Sequence, residues 1–159
     1  MLTLAVTECQ PASVATRPIA EDLFTLTDEP ALLGGRCSDC GAYTFPVREG
    51  CPRCGASAVE RCELGSRGTL YSWTSQGFPP KAPFRGEWAS RERFEPWYVG
   101  LVEIPDTLRI EALLVGVEEK DLTFDMPVRL VLTPFRTDPD TGDDIVTFAF
   151  TPEEASARG

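Results

Sequence analysis

Cys37-Ser-Asp-Cys40-Gly41 and Cys51-Pro-Arg-Cys54-Gly55, separated by ten residues, decide the reading of this chain. Each Cys-x-x-Cys pair predicts a tight turn, and the glycine after it frees backbone N–H groups to point at sulfur. Four thiolates then converge as a tetrahedron, the arrangement preferred by structural Zn²⁺. Iron is an alternative, because iron sites use the same knuckles, including the Cys-Pro-x-Cys-Gly form. Two disulfides are another, but intracellular disulfides are rare and nothing here argues for secretion. Ligand softness and geometry favour zinc. With Cys37, Cys40, Cys51 and Cys54 all bound, no coordination position stays open, so the metal is expected to be structural. The other two cysteines lie outside the pattern: Cys9 in a tail, and Cys62 where a small buried apolar residue is expected.

Short strands are predicted on both sides of the cysteines, over Ala31–Arg36 and Ala58–Cys62. Upstream, Thr16, Arg17 and Pro18 offer a cap and a first-turn proline. Ile19, Leu23, Phe24 and Leu26 follow at roughly helical spacing, which predicts a short helix over Pro18–Thr27. It has too few turns to stand alone and is expected to dock on something. Residues 1–17 read as a flexible tail. Their apolar start lacks a positive segment, so no signal peptide is expected and a cytoplasmic location is.

Downstream the pattern is β. Residues 68–74 alternate, 97–104 are apolar and β-branched, 108–114 and 128–133 alternate, and 145–150 close the set. Turn residues separate them at Pro105-Asp106, Glu118–Asp121 and Asp138–Gly142. Five strands with little helix predict a small closed barrel or a sandwich. The division expected is a tail over 1–17, helix and cysteine module over 18–62, a β domain over 63–151, and a frayed tail over 152–159. Tyr71 and Trp73 are expected to share one strand face and pack in the core. Asp39, Asp106, Asp121 and Asp125 all sit in turn contexts, where Asp bonds to backbone, so none is read as a general acid.

Composition then limits the chemistry. The 159 residues hold 15 basic and 25 acidic side chains, a net charge of −10, and no histidine. The chain alone therefore builds no Ser-His-Asp triad, Cys-His pair or His₂-carboxylate metal site. The charge argues against nucleic acid, since affinity for phosphate backbones rests on clustered Lys and Arg. No apolar run approaches the roughly 20 residues of a membrane-spanning helix. At 42% hydrophobic, the chain can form a core.

Residues 77–98 break the β rhythm. These 22 positions hold six of the 15 aromatics, four prolines and four basic side chains. A connection that long in a compact domain is functional or misassigned. Lys81, Arg85, Arg91 and Arg93 form the densest basic patch of the chain, interleaved with Phe78, Phe84, Trp88, Phe94 and Trp97. Arginine suits phosphate and stacked rings, and interfaces are enriched in aromatics and Arg. Contact with a phosphate-bearing ligand and docking on a partner are both open. So is a solvated surface pairing these basics with Glu87, Glu92 and Glu95.

Leu33-Gly-Gly-Arg-Cys37-Ser-Asp-Cys40-Gly41, Phe45-Pro46 and Cys51-Pro-Arg-Cys54-Gly55 are followed by Gly68-Thr-Leu-Tyr-Ser-Trp73-Thr74. Then come Tyr98-Val-Gly-Leu-Val-Glu-Ile104 and Asp121-Leu122 leading to Met126-Pro-Val128. Over about residues 18–150 this series resembles the acyl-CoA-associated OB-fold proteins with an N-terminal rubredoxin-like zinc ribbon. Asp125 departs from the glycine usual before Met-Pro-Val, but Asp tolerates left-handed geometry and the turn is expected to survive. The resemblance implies a mainly β chain: helix, zinc ribbon, then five-stranded OB-fold barrel. It implies a non-catalytic accessory subunit that partners a thiolase-like enzyme, a retro-aldolase or a hot-dog-fold enoyl-CoA hydratase, as in steroid side-chain or aromatic breakdown. Two other readings stand beside it. A single-strand nucleic-acid module fits the aromatics but not the charge, and an iron redox protein would be coloured.

Overall fold

The computed structural model describes residues 14–82, 84 and 94–153. Nine strands are found there: β1 (Thr16–Pro18), β2 (Leu32–Cys37), β3 (Tyr43–Thr44), β4 (Val59–Gly65), β5 (Arg67–Gln76), β6 (Trp97–Glu103), β7 (Arg109–Leu114), β8 (Pro127–Thr137) and β9 (Asp144–Pro152). Strands β3-β2-β4 form a small antiparallel sheet that carries the cysteines. Strands β5 to β9 close on themselves. β5 pairs with β6, β6 with β7, β7 in parallel with β9, β9 with β8, and β8 back with β5. That ring of five, with one parallel contact, is the OB-fold barrel expected from the strand count.

Alternation explains why these segments are strands. In β7, Ile110, Ala112 and Leu114 point inward and are buried, while Arg109 and Glu111 face solvent. β8 repeats this with Val128 and Leu130 inside and Arg129 outside, as the period of two requires. The inward residues form one cluster around Leu70, Val102 and Phe150, all 0% exposed. Phe24, Leu32 and Leu64, from the cysteine module and its lead-in, belong to the same cluster. The small sheet is thus packed onto the barrel through shared apolar burial.

The predicted helix over Pro18–Thr27 is not formed. Among the described residues the helical element is one 3₁₀ turn, Glu119–Asp121. Thr16 and Arg17, read as tail, lie with Pro18 in β1, parallel to β9 in the register Thr16↔Asp144 to Pro18↔Val146. The Ile19 N–H then donates to Val146 O at 2.8 Å. Asp22 has φ 65, which no right-handed helix contains. Leu33 N–H donates to Leu23 O, and Thr25 N–H to Ala31 O. The free edges of β9 and β2 satisfy this segment's backbone directly, whereas a lone ten-residue helix has a costly nucleus.

Asp143 holds β1 in place. Its carboxylate accepts from Ala15 N–H at 3.3 Å and from Arg17 Nη1 at 3.1 Å. The Thr141 hydroxyl first, then the Ala15 N–H and Arg17, hold its carboxyl below the usual aspartate range. A depressed carboxyl adds stability above its unfolded value, and that stability is lost as pH falls through the lower folded value. The β1 tether should accordingly be insensitive to pH near neutrality and weaken only below the ordinary carboxylate range of about 4. Asp143→Asn should speed amide exchange at Ile19 and Asp144 several-fold at neutral pH and leave Leu130 unchanged, as read by hydrogen exchange.

Strand β5 carries a bulge between Leu70 and Ser72, where the register to β6 shifts. Tyr71 is therefore not in the core as expected. It is 45% exposed, with the Arg109 guanidinium 3.5 Å from its ring centroid. An extra residue in one strand reverses the face that follows it. Trp73 does point inward, opposite Gly100, and packs against the core cluster. Any Cβ on Gly100 would press on Leu70 and Leu114. The turn before Met126 survives as expected: Asp125 has φ 61, and its N–H donates to Leu70 O at 2.8 Å.

Candidate metal centre and barrel face

Strand β2 ends on Cys37, and the chain turns at once into the first knuckle. Gly41 N–H donates to Cys37 O and Gly55 N–H to Cys51 O, both at 2.9 Å. Cys37 N–H bonds to Ala42 O and Cys51 N–H to Ala56 O, closing each knuckle into a miniature hairpin. Gly41 and Gly55 have φ 71 and 77 with open space where a Cβ would stand. Glycine is required there by the left-handed backbone, not by crowding.

The two knuckles bring all four sulfurs within 4.8 Å of one another. Cys37 Sγ lies 3.7 Å from Cys54 Sγ, and Cys40 Sγ 3.6 Å from Cys51 Sγ. A disulfide would need about 2.05 Å, so these are free thiols. A tetrahedron with Zn–S bonds of about 2.3 Å has edges of about 3.8 Å, which these spacings match. Cys37 and Cys51 are buried and Cys54 is exposed.

Electrostatics agree with a cation-binding role. The backbone N–H of Cys54, aided by that of Arg53, brings the Cys51 thiol down to about 7 against the opposing effect of burial. At Cys54 the Ala56 N–H acts downward, but the Cys40 thiol, burial, Cys37 and Cys51 together push it up to about 12. Four adjacent thiolates repel, so a divalent ion supplies the charge that lets all four ionise, and its affinity drops as the pH is lowered and the thiols protonate. Four protein ligands leave no position for substrate. Cys62 is partly buried against the core, and burial raises its thiol. Cys9 lies outside the described residues.

Of the nine residues singled out in 77–98, the structure brings Phe84, Phe94 and Trp97 together. The Phe84 and Trp97 rings stack with centroids 5.9 Å apart at 17°. Phe135 of β8 meets Phe84 edge-on at 5.7 Å, and Phe94 meets Trp97 at 5.5 Å. Phe78 is 71% exposed and Lys81 is exposed as well, outside that cluster. Arg85, Trp88, Arg91 and Arg93 lie outside the described residues. The ring cluster borders a groove of about 580 Å³ on the barrel face, floored by Val99, Leu113 and Phe148. Phe135, Leu113 and Phe148 were not singled out in the sequence. For Leu113 and Phe135 the available signal was an apolar residue at an outward strand position, where alternation calls for a polar one, whereas Phe148 lies on the inward row of β9 and packs against the core.

The expected turn positions of these aspartates hold. Asp106 and Asp125 have positive φ, and Asp121 sits in the 3₁₀ turn.

Two family models match the chain in order. The ChsH2 rubredoxin-like zinc ribbon domain matches residues 24–60, and the ChsH2 C-terminal OB-fold domain matches residues 62–133. A DUF35 domain-containing scaffold protein of Methanocaldococcus jannaschii is 28% identical over 120 residues, 75% of this chain and 78% of that protein. The benzoylsuccinyl-CoA thiolase subunit BbsA of Thauera aromatica is 36% identical over 87 residues, 55% of this chain and 54% of BbsA. Among solved structures, the Ltp2-ChsH2(DUF35) aldolase superposes with a TM-score of 0.56 and 28% identity, over 77% of this chain and 84% of that one. The zinc-ribbon match, together with the sulfur geometry, assigns the four cysteines to a structural zinc. With ribbon and barrel both matched and in the same order, this chain belongs to the ChsH2-type family of rubredoxin-like zinc-ribbon and OB-fold proteins.

Proposed function

We propose that this chain is a non-catalytic accessory subunit of an acyl-CoA-processing complex, bound to a thiolase-like or aldolase enzyme subunit. The observation that carries this reading is its likeness, over 77% of its length, to a chain of the Ltp2-ChsH2(DUF35) aldolase. The thiolase subunit BbsA supports the same class of partner. The chain's own chemistry agrees. Its metal site is closed by four cysteines, it has no histidine, and Asp106, Asp121 and Asp125 lie in turns. Acid–base work then belongs to the partner. This chain stabilises the partner and shapes the entrance to a CoA-thioester site. Steroid side-chain or aromatic breakdown is the metabolic setting this reading favours, with the cytoplasm as its place.

Residues 77–98 are the proposed contact, through Phe78, Lys81, Phe84, Arg85, Trp88, Arg91, Arg93 and Trp97. A tagged chain purified from its own cells should bring down an acyl-CoA enzyme subunit, identified by mass spectrometry. Deletion of residues 79–93 should abolish that co-purification while zinc content stays at one per chain. A deletion protein that folds, keeps its zinc and still binds the partner would remove this segment from the interface.

A further inference from the structure

The groove on the barrel face is mostly apolar, with Thr147 and Glu111 as its polar lining residues. Phe84, Trp97, Val99, Leu113, Phe135 and Phe148 supply its walls, and Glu111 is the charged side chain that lines it. Glu111 is exposed, on the outward row of β7, with Leu101 opposite it on β6. It has no ion pair or hydrogen bond among the described residues. The nearest cation along the row, Arg109, is already engaged: its Nε lies 2.6 Å from Glu103 Oε2, and its guanidinium covers Tyr71.

An acid at the edge of an apolar groove selects its occupant by charge. A CoA thioester carries several negative charges and would meet both Glu111 and a net charge of −10. A polypeptide segment with apolar side chains and one Lys or Arg would fill the groove and pair with Glu111. At about 580 Å³ the groove takes more than one side chain. Interface centres of this kind combine aromatic walls with a charge pair that fixes register.

We infer that this groove is a docking site for an apolar segment of the partner enzyme bearing a basic residue that pairs with Glu111. The inference rests on the accessory-subunit reading and extends the 77–98 contact, through Phe84 and Trp97, onto the adjoining barrel face.

The test uses the full chain and the enzyme subunit that co-purifies with it, reconstituted from purified proteins. Glu111→Lys should weaken the complex tenfold or more. Glu111→Gln should weaken it less and flatten its dependence on salt, because the pair is gone without a repulsion in its place. Leu113→Asp should weaken it as strongly as Glu111→Lys, with zinc content and thermal melting of the free chain serving as folding controls. Binding of either Glu111 variant within twofold of wild type would overturn the inference. So would tighter binding of a fluorescent acyl-CoA to the free Glu111→Lys chain, which would make the groove a ligand site. If no acyl-CoA enzyme co-purifies with the wild-type chain, the accessory-subunit reading fails, and the docking inference with it.

Discussion

Cys40→Ser is expected to release the zinc and unfold the module between Leu32 and Gly65. Metal binding in such modules supplies on the order of 10 kcal/mol, and without it they do not fold. Little else holds this one. β3 is two residues long, and β2 carries Gly34 and Gly35, which add no apolar surface. The damage does not stop at the ribbon, because Leu32 and Leu64 are buried in the barrel cluster. Losing several kcal/mol in a chain of this size should lower the melting temperature by more than about 10 °C. Elemental analysis should find close to one zinc per wild-type chain and close to none in the variant. Limited proteolysis should cut the variant first between residues 38 and 58. Cys54→Ser should behave alike, although Cys54 is exposed, because the missing ligand matters more than the lost burial. Cys62→Ser should keep its zinc.

Phe150→Ala should cost about 3–5 kcal/mol, the usual range for removing a fully buried aromatic ring. Phe150 is 0% exposed and is the largest of the fully buried side chains. It stands where the barrel closes. In register it faces Leu114 across the parallel β7–β9 contact and Leu130 across β8–β9. Its carbonyl also accepts the Val115 N–H at 2.9 Å. An empty space there loses packing on two strand pairs at once. Against a typical total of about 5–15 kcal/mol, the loss is large. Urea unfolding should show a much lower midpoint. Phe124→Ala, at a ring 68% exposed that rests on Trp73, should move the midpoint little. Zinc content should be unaffected by either, which separates barrel damage from ribbon damage.

The parts of this fold that were legible in the sequence are those set by local rules. Cysteine spacing with glycine after each pair gave the metal site, because knuckle geometry is encoded within five residues. Alternation gave the barrel strands, because each has one wet and one dry face. Three features follow from partners far away in the chain. The segment after Pro18 looks helical by spacing, yet the edges of β9 and β2 claim its backbone. The bulge at Tyr71 puts Tyr71 and Trp73 on opposite faces although their spacing predicts one. The groove draws its walls from β6, β7, β8 and β9, and no local window contains them together. Phe135 and Leu113 left a trace as apolar residues on outward positions. Glu111 left none, since a charged residue is what alternation expects there.

As the proposed non-catalytic partner of an acyl-CoA enzyme, this chain should be found bound to that enzyme in the cell. The direct measurement is native mass spectrometry of the tagged, full-length chain purified from its own cells, with acyl-CoA turnover assayed on the complex and on the free chain. A zinc-bearing hetero-oligomer of fixed stoichiometry with a thiolase-like or aldolase subunit is expected. Turnover should belong to the complex, and the free chain should have none. A chain that purifies without such an enzyme, or that alone turns over an acyl-CoA thioester, would contradict this role.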